Sequence, residues 1–202
     1  CKSVGQTVTD TLYIDSDTLH PNRAGATVLA ELVAKSVSFS TISELPGTEL
    51  PANTTYQIQN VNSGLYLEVQ DGKAENGANV QQWEVNGANC QNWILEPTTD
   101  PGCSMNTDVI YTFENAGSGL VMDITDGKMT DNTNVQQWSS NGLNCQKWTL
   151  RAFGSGNYYW IRSQQDSHYA LKAEGSKNGG NLAIAAWSNK DSTQLFRFTK
   201  NL

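Results

Sequence analysis

The sequence is poor in basic residues and lacks any long apolar run. Lys and Arg number 13 in 202 residues, against 20 Asp and Glu, which leaves a net charge of −7. A nucleic-acid-binding protein presents clustered Lys or Arg to phosphates, and these residues are scattered, so we expect no nucleic-acid partner. No apolar stretch approaches the roughly 18 residues that a spanning helix requires, so we expect no membrane partner.

Cysteine and histidine are also scarce. The four cysteines (Cys1, Cys90, Cys103 and Cys145) and two histidines match no metal-ligand spacing, so we expect neither a metal nor a cofactor. The cysteines indicate either one or two structural disulfides in a secreted protein or free buried thiols. Asn and Gln are abundant, beside 6 Trp and 7 Tyr, and amides next to flat rings are a chemistry suited to sugars.

The central feature of the sequence is an internal repeat. Residues 63–93 and 118–148 share their landmarks at a constant shift of 55 residues. A third, degraded copy follows at residues 166–196, where a Leu-to-Trp step of 16 residues recurs and ends at Trp187. The paired landmarks of the first two copies include Gly64 and Gly119, Asp71 and Asp126, Trp83 and Trp138, Cys90 and Cys145, and Trp93 and Trp148.

Each copy contains short alternating runs bounded by Asn-Gly, Asp-Gly or Ser-Gly pairs, a pattern typical of half-buried strands joined by tight turns. In the first copy these runs are Tyr56 to Asn60, Leu65 to Val69 and Asn79 to Trp83. No run between residues 56 and 202 has a sustained helical period. The sequence therefore predicts an all-β region of three units, with about four strands each, that bury their apolar faces by closing on one another.

The copies end in a Gln-x-aromatic motif, each preceded by an Asp-Gly or Glu-Gly turn and a Trp. The motifs are Gln91 to Trp93, Gln146 to Trp148 and Gln194 to Phe196. This pattern resembles the ricin B-chain-type lectin repeat, also called carbohydrate-binding module family 13. The resemblance covers residues 54–202 and implies a carbohydrate-binding β-trefoil. We place the module at 56–202, with repeats at about 56–100, 108–152 and 156–202.

The same resemblance implies where a sugar would bind. In that family a carboxylate before the turn, an aromatic residue about fifteen positions later and a closing amide form each site. In the second copy these fall on Asp123, Trp138 and Gln146, with Asp126 at the turn. The amide position before Gln146 is occupied by Cys145, and this copy is otherwise nearly complete.

The other two copies depart further from the pattern. The corresponding residues of the first copy are Glu68, Asp71, Trp83 and Gln91. Glu68 is one methylene longer than Asp, so we expect altered binding there. In the third copy Lys172 replaces the carboxylate and cannot accept from a hydroxyl, which leaves Trp187. We expect that site to be weak or lost unless Lys172 prefers an acidic sugar.

Several of these residues have a structural interpretation instead. Trp93, Trp148 and Phe196 follow a Gln by two positions on the same strand face, so we expect them in the core. We expect the motif glutamines mainly to bind backbone and hold a turn. Because Cys90 and Cys145 directly precede inward glutamines, we expect them to point outward, too far apart for a mutual disulfide.

Residues 1–37 differ in character from the repeats. Apolar residues at helical spacing predict one amphipathic helix at 23–37, with Asn22 as a plausible N-cap. Residues 38–55 mix Ser, Thr, Pro and Gly and read as a linker. The region before the trefoil is therefore predicted to be a loop followed by a helix.

The segment from Asp17 to His20, followed by Pro-Asn and the predicted helix, resembles the last sequence block of the SGNH (GDSL-type) hydrolases. That resemblance implies that His20 is a general base and Asp17 the carboxylate that orients it. The nucleophile motif of the family, Gly-Asp-Ser, is missing from the sequence. We therefore expect 1–37 to be the C-terminal remnant of an SGNH hydrolase domain, inactive in this chain alone.

Together the two resemblances imply a secreted, monomeric module that targets a polysaccharide (acetyl)esterase to plant cell-wall polysaccharide. The polymer could be of the xylan, arabinan, galactan or pectin type, since all present vicinal hydroxyls and apolar ring faces. The alternative is an active SGNH esterase whose remaining catalytic residues lie on a missing or separate chain.

Overall fold

The structure, a computed structural model, describes residues 50–98, 109–154 and 157–201, and the backbone of Lys2–Ser3 and Gln6–Thr7. The chain divides into two compact units, Cys1–Leu45 and Pro46–Leu202. In the first unit, β1 (Lys2–Ser3) pairs antiparallel with β2 (Gln6–Thr7). The predicted helix at 23–37, and with it Asp17 and His20, lies outside the described residues.

The described residues of the second unit form twelve strands, four from each repeat, as the sequence predicts. Repeat 1 supplies β3 (Thr54–Asn60), β4 (Tyr66–Val69), β5 (Val80–Trp83) and β6 (Asn92–Pro97). Repeat 2 supplies β7 (Ile110–Asn115), β8 (Val121–Ile124), β9 (Thr133–Trp138) and β10 (Trp148–Ala152). Repeat 3 supplies β11 (Tyr158–Ser163), β12 (Tyr169–Ala173), β13 (Gly180–Ala186) and β14 (Leu195–Lys200).

The first and last strands of the repeats close into a barrel. The antiparallel pairings run β3 to β6, β6 to β7, β7 to β10, β10 to β11 and β11 to β14, and β14 returns to β3. Closure leaves no barrel strand with an unpaired edge. The inner strands form three hairpins, β4 with β5, β8 with β9 and β12 with β13. This arrangement is a β-trefoil, the fold that the three repeats imply.

The hairpins meet around a pseudo-threefold axis. A residue in the loop that leads into the third strand of each repeat adopts a left-handed conformation: Gly77, Asn132 and Gly179, with φ of 83°, 63° and 80°. The N–H of each donates to a carbonyl of the next hairpin in turn, at 2.8 to 2.9 Å. Because every hairpin is bonded to a neighbour, each repeat depends on the other two for its position.

The core is aromatic and follows the Gln-x-aromatic motifs. Trp93, Trp148 and Phe196 are all completely buried, which confirms their predicted place in the core. The indole N–H of Trp93 donates to Leu67 O at 3.1 Å, and that of Trp148 donates to Met122 O at 3.3 Å. These bonds satisfy the polar edge of each ring inside the apolar core.

Among the described residues, no helix has the length and apolar character needed to cross a membrane. The same residues contain no group of three or more His, Cys, Asp or Glu side chains that could hold a metal ion.

Replacing the buried Trp148 tests this assignment of the core. Trp148→Ala removes a fully buried indole and leaves Met122 O without its donor, so the free energy of unfolding should fall by about 3–5 kcal/mol. Trp138→Ala is the matched control, because 39% of that side chain is exposed; its loss should be roughly 1 kcal/mol. Urea denaturation followed by circular dichroism measures both, and equal losses would contradict the placement of the two rings.

Candidate functional site

The carboxylate predicted for the repeat 2 site lies in the middle of the β8–β9 hairpin. Asp123 pairs with Gln136 across the hairpin, and its side chain is only 4% exposed. Oδ1 accepts a hydrogen bond from Gln136 Nε2 at 3.0 Å, and Oδ2 accepts from the Cys145 thiol at 3.5 Å. A thiol is a weak donor and a carboxylate can accept about four hydrogen bonds, so Asp123 keeps acceptor capacity for a ligand.

A surface pocket of about 460 Å³ opens over this carboxylate. Its lining includes Asp123, Asp126, Gln136, Trp138, Cys145 and Gln165. The sequence predicts Asp123, Asp126 and Trp138 for this site and places Cys145 at its amide position. Gln165, by contrast, belongs to repeat 3. The structure therefore brings Asp123, Asp126 and Trp138 together in one concave site.

Trp138 ends β9, and its indole is 39% exposed at the edge of this pocket. The loop of repeat 1 lies against it: a Cβ added to Gly77 would come within 3.7 Å of Trp138 Cζ3. From the same loop, Asn76 Oδ1 accepts a hydrogen bond from the N–H of Ser139 at 2.7 Å. The ring is thus held from one side by a neighbouring repeat and keeps part of its surface open.

The closing glutamines hold loops rather than ligands. Gln146 is 1% exposed, its Oε1 accepts the N–H of Asn141 at 2.9 Å, and its Nε2 donates to Ser139 O at 3.0 Å. Gln91 and Gln194 make the equivalent pair of backbone bonds in their repeats. Both polar ends of each amide are used, as expected for a turn-holding role.

In repeat 1 the longer carboxylate is occupied by the protein itself. Glu68 is 5% exposed, and its Oε1 accepts from Gln81 Nε2 at 2.9 Å. Its Oε2 accepts from Gln91 Nε2 at 3.1 Å and from Asn86 Nδ2 at 3.3 Å. The extra methylene carries the carboxylate to amides that Asp123 does not reach, which leaves little capacity for a sugar hydroxyl.

The turn residues Asp71 and Asp126 adopt the same left-handed conformation, with φ of 57° and 56°. Both are exposed, and Asp71 lies 3.7 Å from the ammonium of Lys73. Trp83, the repeat 1 counterpart of Trp138, is half-buried and has Gly179 of repeat 3 against its ring.

Repeat 3 differs from the prediction in register. Trp83 pairs with Tyr66 and Trp138 with Val121, and the equivalent pair in repeat 3 is Ala185 with Ala170. The loop between β12 and β13 is two residues shorter than in the other repeats, so the 16-residue step overshoots the aromatic position.

Trp187 therefore lies beyond the strand, in another environment. Its ring meets Trp160 edge to face at 5.8 Å, and the Arg162 guanidinium lies 4.7 Å from its centroid. On β12, Lys172 faces Ala183 across the hairpin. The structure thus places no aromatic ring at the repeat 3 counterpart of Trp138.

The thiols differ from expectation. Cys90 and Cys145 are both free, but Cys145 is only 7% exposed, so the prediction that it points outward is wrong. That prediction assumed that side chains alternate in and out as along a strand. Asn144–Gln146 instead form one turn of 3-10 helix, which breaks the alternation. Burial, followed by the charge of Asp123, raises the pKa of the Cys145 thiol to about 11.

Residues 45–107 and 102–187 match the family model of the ricin-type beta-trefoil lectin domain-like proteins. A search of the curated proteins finds no match.

Three solved structures illustrate the structural similarity. A designed threefold-symmetric protein, ThreeFoil, is 27% identical with a TM-score of 0.64 over 73% of this chain and 99% of its own. An exo-beta-1,3-galactanase from Clostridium thermocellum is 26% identical with a TM-score of 0.64 over 76% of this chain, which corresponds to 31% of that enzyme. A ricin B-like lectin of Macrolepiota procera in complex with lactose is 17% identical with a TM-score of 0.62 over 76% of this chain and all of its own, and shares the fold.

The Cys145 thiol provides a test of the pocket interior. With a pKa of about 11, roughly one thiol in a thousand is a thiolate at pH 8, so iodoacetamide should label it slowly and about tenfold faster per added pH unit. Peptide mass spectrometry across pH 7.5–10 measures this rate. Asp123→Asn removes the neighbouring charge and should raise the rate at a given pH. A plateau below pH 9 in the unaltered protein would contradict the contact.

Proposed function

The chain belongs to the ricin-type β-trefoil lectin domain-like family, and from that premise we propose that it binds carbohydrate through the pocket of repeat 2. The observation that carries the proposal is the combination of a half-exposed indole, Trp138, with a buried carboxylate, Asp123, whose acceptor capacity is not used up. The ricin B-like fold itself suggests carbohydrate binding.

Each group has a defined part in sugar recognition. A carboxylate accepts hydrogen bonds from two neighbouring hydroxyls at once, which is the contact proposed for Asp123. An indole face packs on the apolar C–H face of a pyranose ring, which is the contact proposed for Trp138. Gln136 already donates to Asp123, so it holds the carboxylate in place for the sugar.

The other two repeats support this choice by contrast. Glu68 accepts three amide hydrogen bonds from the protein, so a sugar would have to displace a satisfied contact. In repeat 3, Lys172 and Ala185 stand where repeat 2 has Asp123 and Trp138. We therefore infer one principal sugar site in the trefoil.

Substitutions at Asp123 and Trp138 test the sugar site. Asp123→Asn should lower affinity at least about tenfold, because a charge-assisted hydrogen bond contributes roughly 1.5–3 kcal/mol. Trp138→Ala should lower it by a similar factor through loss of the stacking surface. Affinity electrophoresis in gels that contain arabinoxylan, arabinan, β-galactan or pectin measures retention.

Trp83→Ala is the matched control for this experiment, since Trp83 holds the same strand position beside Glu68, which already accepts three amide hydrogen bonds. It should leave retention unchanged. If Trp83→Ala abolished retention and Trp138→Ala did not, the sugar site would belong to repeat 1. Circular dichroism of each variant establishes that the trefoil remains folded.

We further infer that the bound polymer is a neutral plant cell-wall polysaccharide. Of the described residues that line the pocket, the two charged ones, Asp123 and Asp126, are both acidic and would repel uronates. Xylan, arabinan and galactan are thus better candidates than pectic backbones. The similarity to a galactanase makes β-1,3-galactan a further probe.

The role of the module is inferred from residues 1–37 of the sequence. The Asp17 to His20 segment resembles the final block of SGNH hydrolases, so we propose that the trefoil targets a secreted polysaccharide esterase to its substrate and that it acts as a monomer. A single exposed site suits this role, because tethering needs only weak, reversible attachment to a repetitive polymer.

An activity assay separates this proposal from the alternative of an active esterase. The 202-residue chain should release no acetate from acetylated xylan or β-galactan, because it has no Gly-Asp-Ser nucleophile motif. It should nevertheless be retained by the deacetylated polymer. Turnover that His20→Ala abolishes would instead support a competent esterase completed by another chain.

A further inference from the structure

Gln165 lines the sugar pocket of repeat 2, although it belongs to repeat 3. It follows β11, where its own N–H donates to Ser163 Oγ at 3.1 Å. Its side chain is exposed and crosses to the Asp126-Gly127 turn, where Nε2 donates to Gly127 O at 2.6 Å. Within the described part of the chain, no donor reaches its Oε1.

Gln165 and Trp138 approach the site from opposite ends of the hairpin. Trp138 pairs with Val121 at the start of β8, whereas the turn that contacts Gln165 follows the end of β8 at Ile124. Asp123 lies between them. A sugar on Trp138 and Asp123 would therefore extend, through its next unit, toward the amide of Gln165.

The equivalent positions of the other repeats are occupied differently. The residue two positions after the last residue of β7 is Gly117, where a Cβ would come within 3.2 Å of Cys90 N and Asn115 Oδ1. At this position, therefore, no side chain reaches over the repeat 1 site, and there is little space for one.

The third of these positions, after β3, is Asn62, and both ends of its amide are engaged. Nδ2 donates to Ser176 Oγ at 3.3 Å, and Oδ1 accepts from Ser192 Oγ at 3.1 Å. Of the three described positions, only Gln165 combines a side chain at the rim with an amide oxygen left for a ligand.

We propose that Gln165 is a specificity-determining residue of the repeat 2 site, where its Oε1 accepts a hydrogen bond from the sugar unit next to the one held by Asp123 and Trp138. The inference rests on the proposed function and makes the site a reader of at least two linked sugars. The bond of Nε2 to Gly127 O holds the amide plane in position for that contact.

Comparison of single sugars with short oligomers tests the role of Gln165. The probes are D-galactose with β-1,3-galactotriose and D-xylose with β-1,4-xylotriose. Gln165→Ala should weaken binding of a trisaccharide about 3- to 10-fold, the range of one neutral hydrogen bond, and leave the affinity for its monosaccharide within about twofold. Calorimetric titration measures both.

Gln164→Ala is the matched control, because this neighbouring glutamine is absent from the pocket lining. It should bind all four probes as the unaltered protein does. In ¹⁵N NMR, the side-chain NH₂ signals of Gln165 should shift on addition of a trisaccharide but not of its monosaccharide, a response that a merely structural contact would not give.

The outcomes separate the two proposals. If the trisaccharides bind in a manner that depends on Trp138, and Gln165→Ala leaves their affinity unchanged, the role of Gln165 is overturned and the sugar site stands. If no probe binds, and no polysaccharide gel retains the protein, in a manner that depends on Asp123 or Trp138, both are overturned.

Discussion

The trefoil depends on the fact that no hairpin can bury its apolar face by itself. Each of the three hairpins is short, and its inward residues find apolar partners only when the other two hairpins and the closed barrel pack against it. The backbone bonds from Gly77, Asn132 and Gly179 to the neighbouring hairpins make this closure directional. As a result, a loop of one repeat always lies beside the candidate site of the next.

The same closure explains why the sites can diverge while the fold does not. The motif glutamines form hydrogen bonds to backbone with both ends of their amides. They therefore fix a loop whichever residue occupies the carboxylate position. Glu68, Asp123 and Lys172 then stand on strands of the same geometry. The architecture tolerates a carboxylate with three protein amide donors, a carboxylate with one, and a cation at equivalent positions.

Much of the fold could be predicted from the sequence, because its periodicity is local. The runs Tyr56 to Asn60 and Asn79 to Trp83 correspond closely to β3 and β5, and the core position of Trp148 follows from alternation along one strand. The prediction from residue spacing was wrong in repeat 3, where a loop differs in length. Trp187 lies at the expected distance along the chain, but the loop before β13 is two residues shorter than in the other repeats. The aromatic position is therefore occupied by Ala185.

The sites were less predictable, because part of each is contributed from outside its own repeat. Nothing in the sequence of repeat 2 indicates that Gln165 lies on its rim, and alignment of the repeats equates Gln165 only with Gly117 and Asn62. The burial of Cys145 was also unpredictable from spacing, because a 3-10 turn directs its thiol toward Asp123 on another strand. Both cases involve contacts that depend on tertiary geometry rather than residue spacing.

Glu68 and Asp123 differ in how many hydrogen-bond donors the protein provides to a buried carboxylate. A buried carboxylate with few donors is costly, because burial removes water that would otherwise hydrogen-bond to it. Repeat 1 removes that cost permanently through three amide donors. Repeat 2 supplies Asp123 with one amide and one weak thiol donor, so part of its acceptor capacity faces the pocket. Under the proposed function, sugar hydroxyls supply the further donors to Asp123, whereas the donors to Glu68 come from the protein itself.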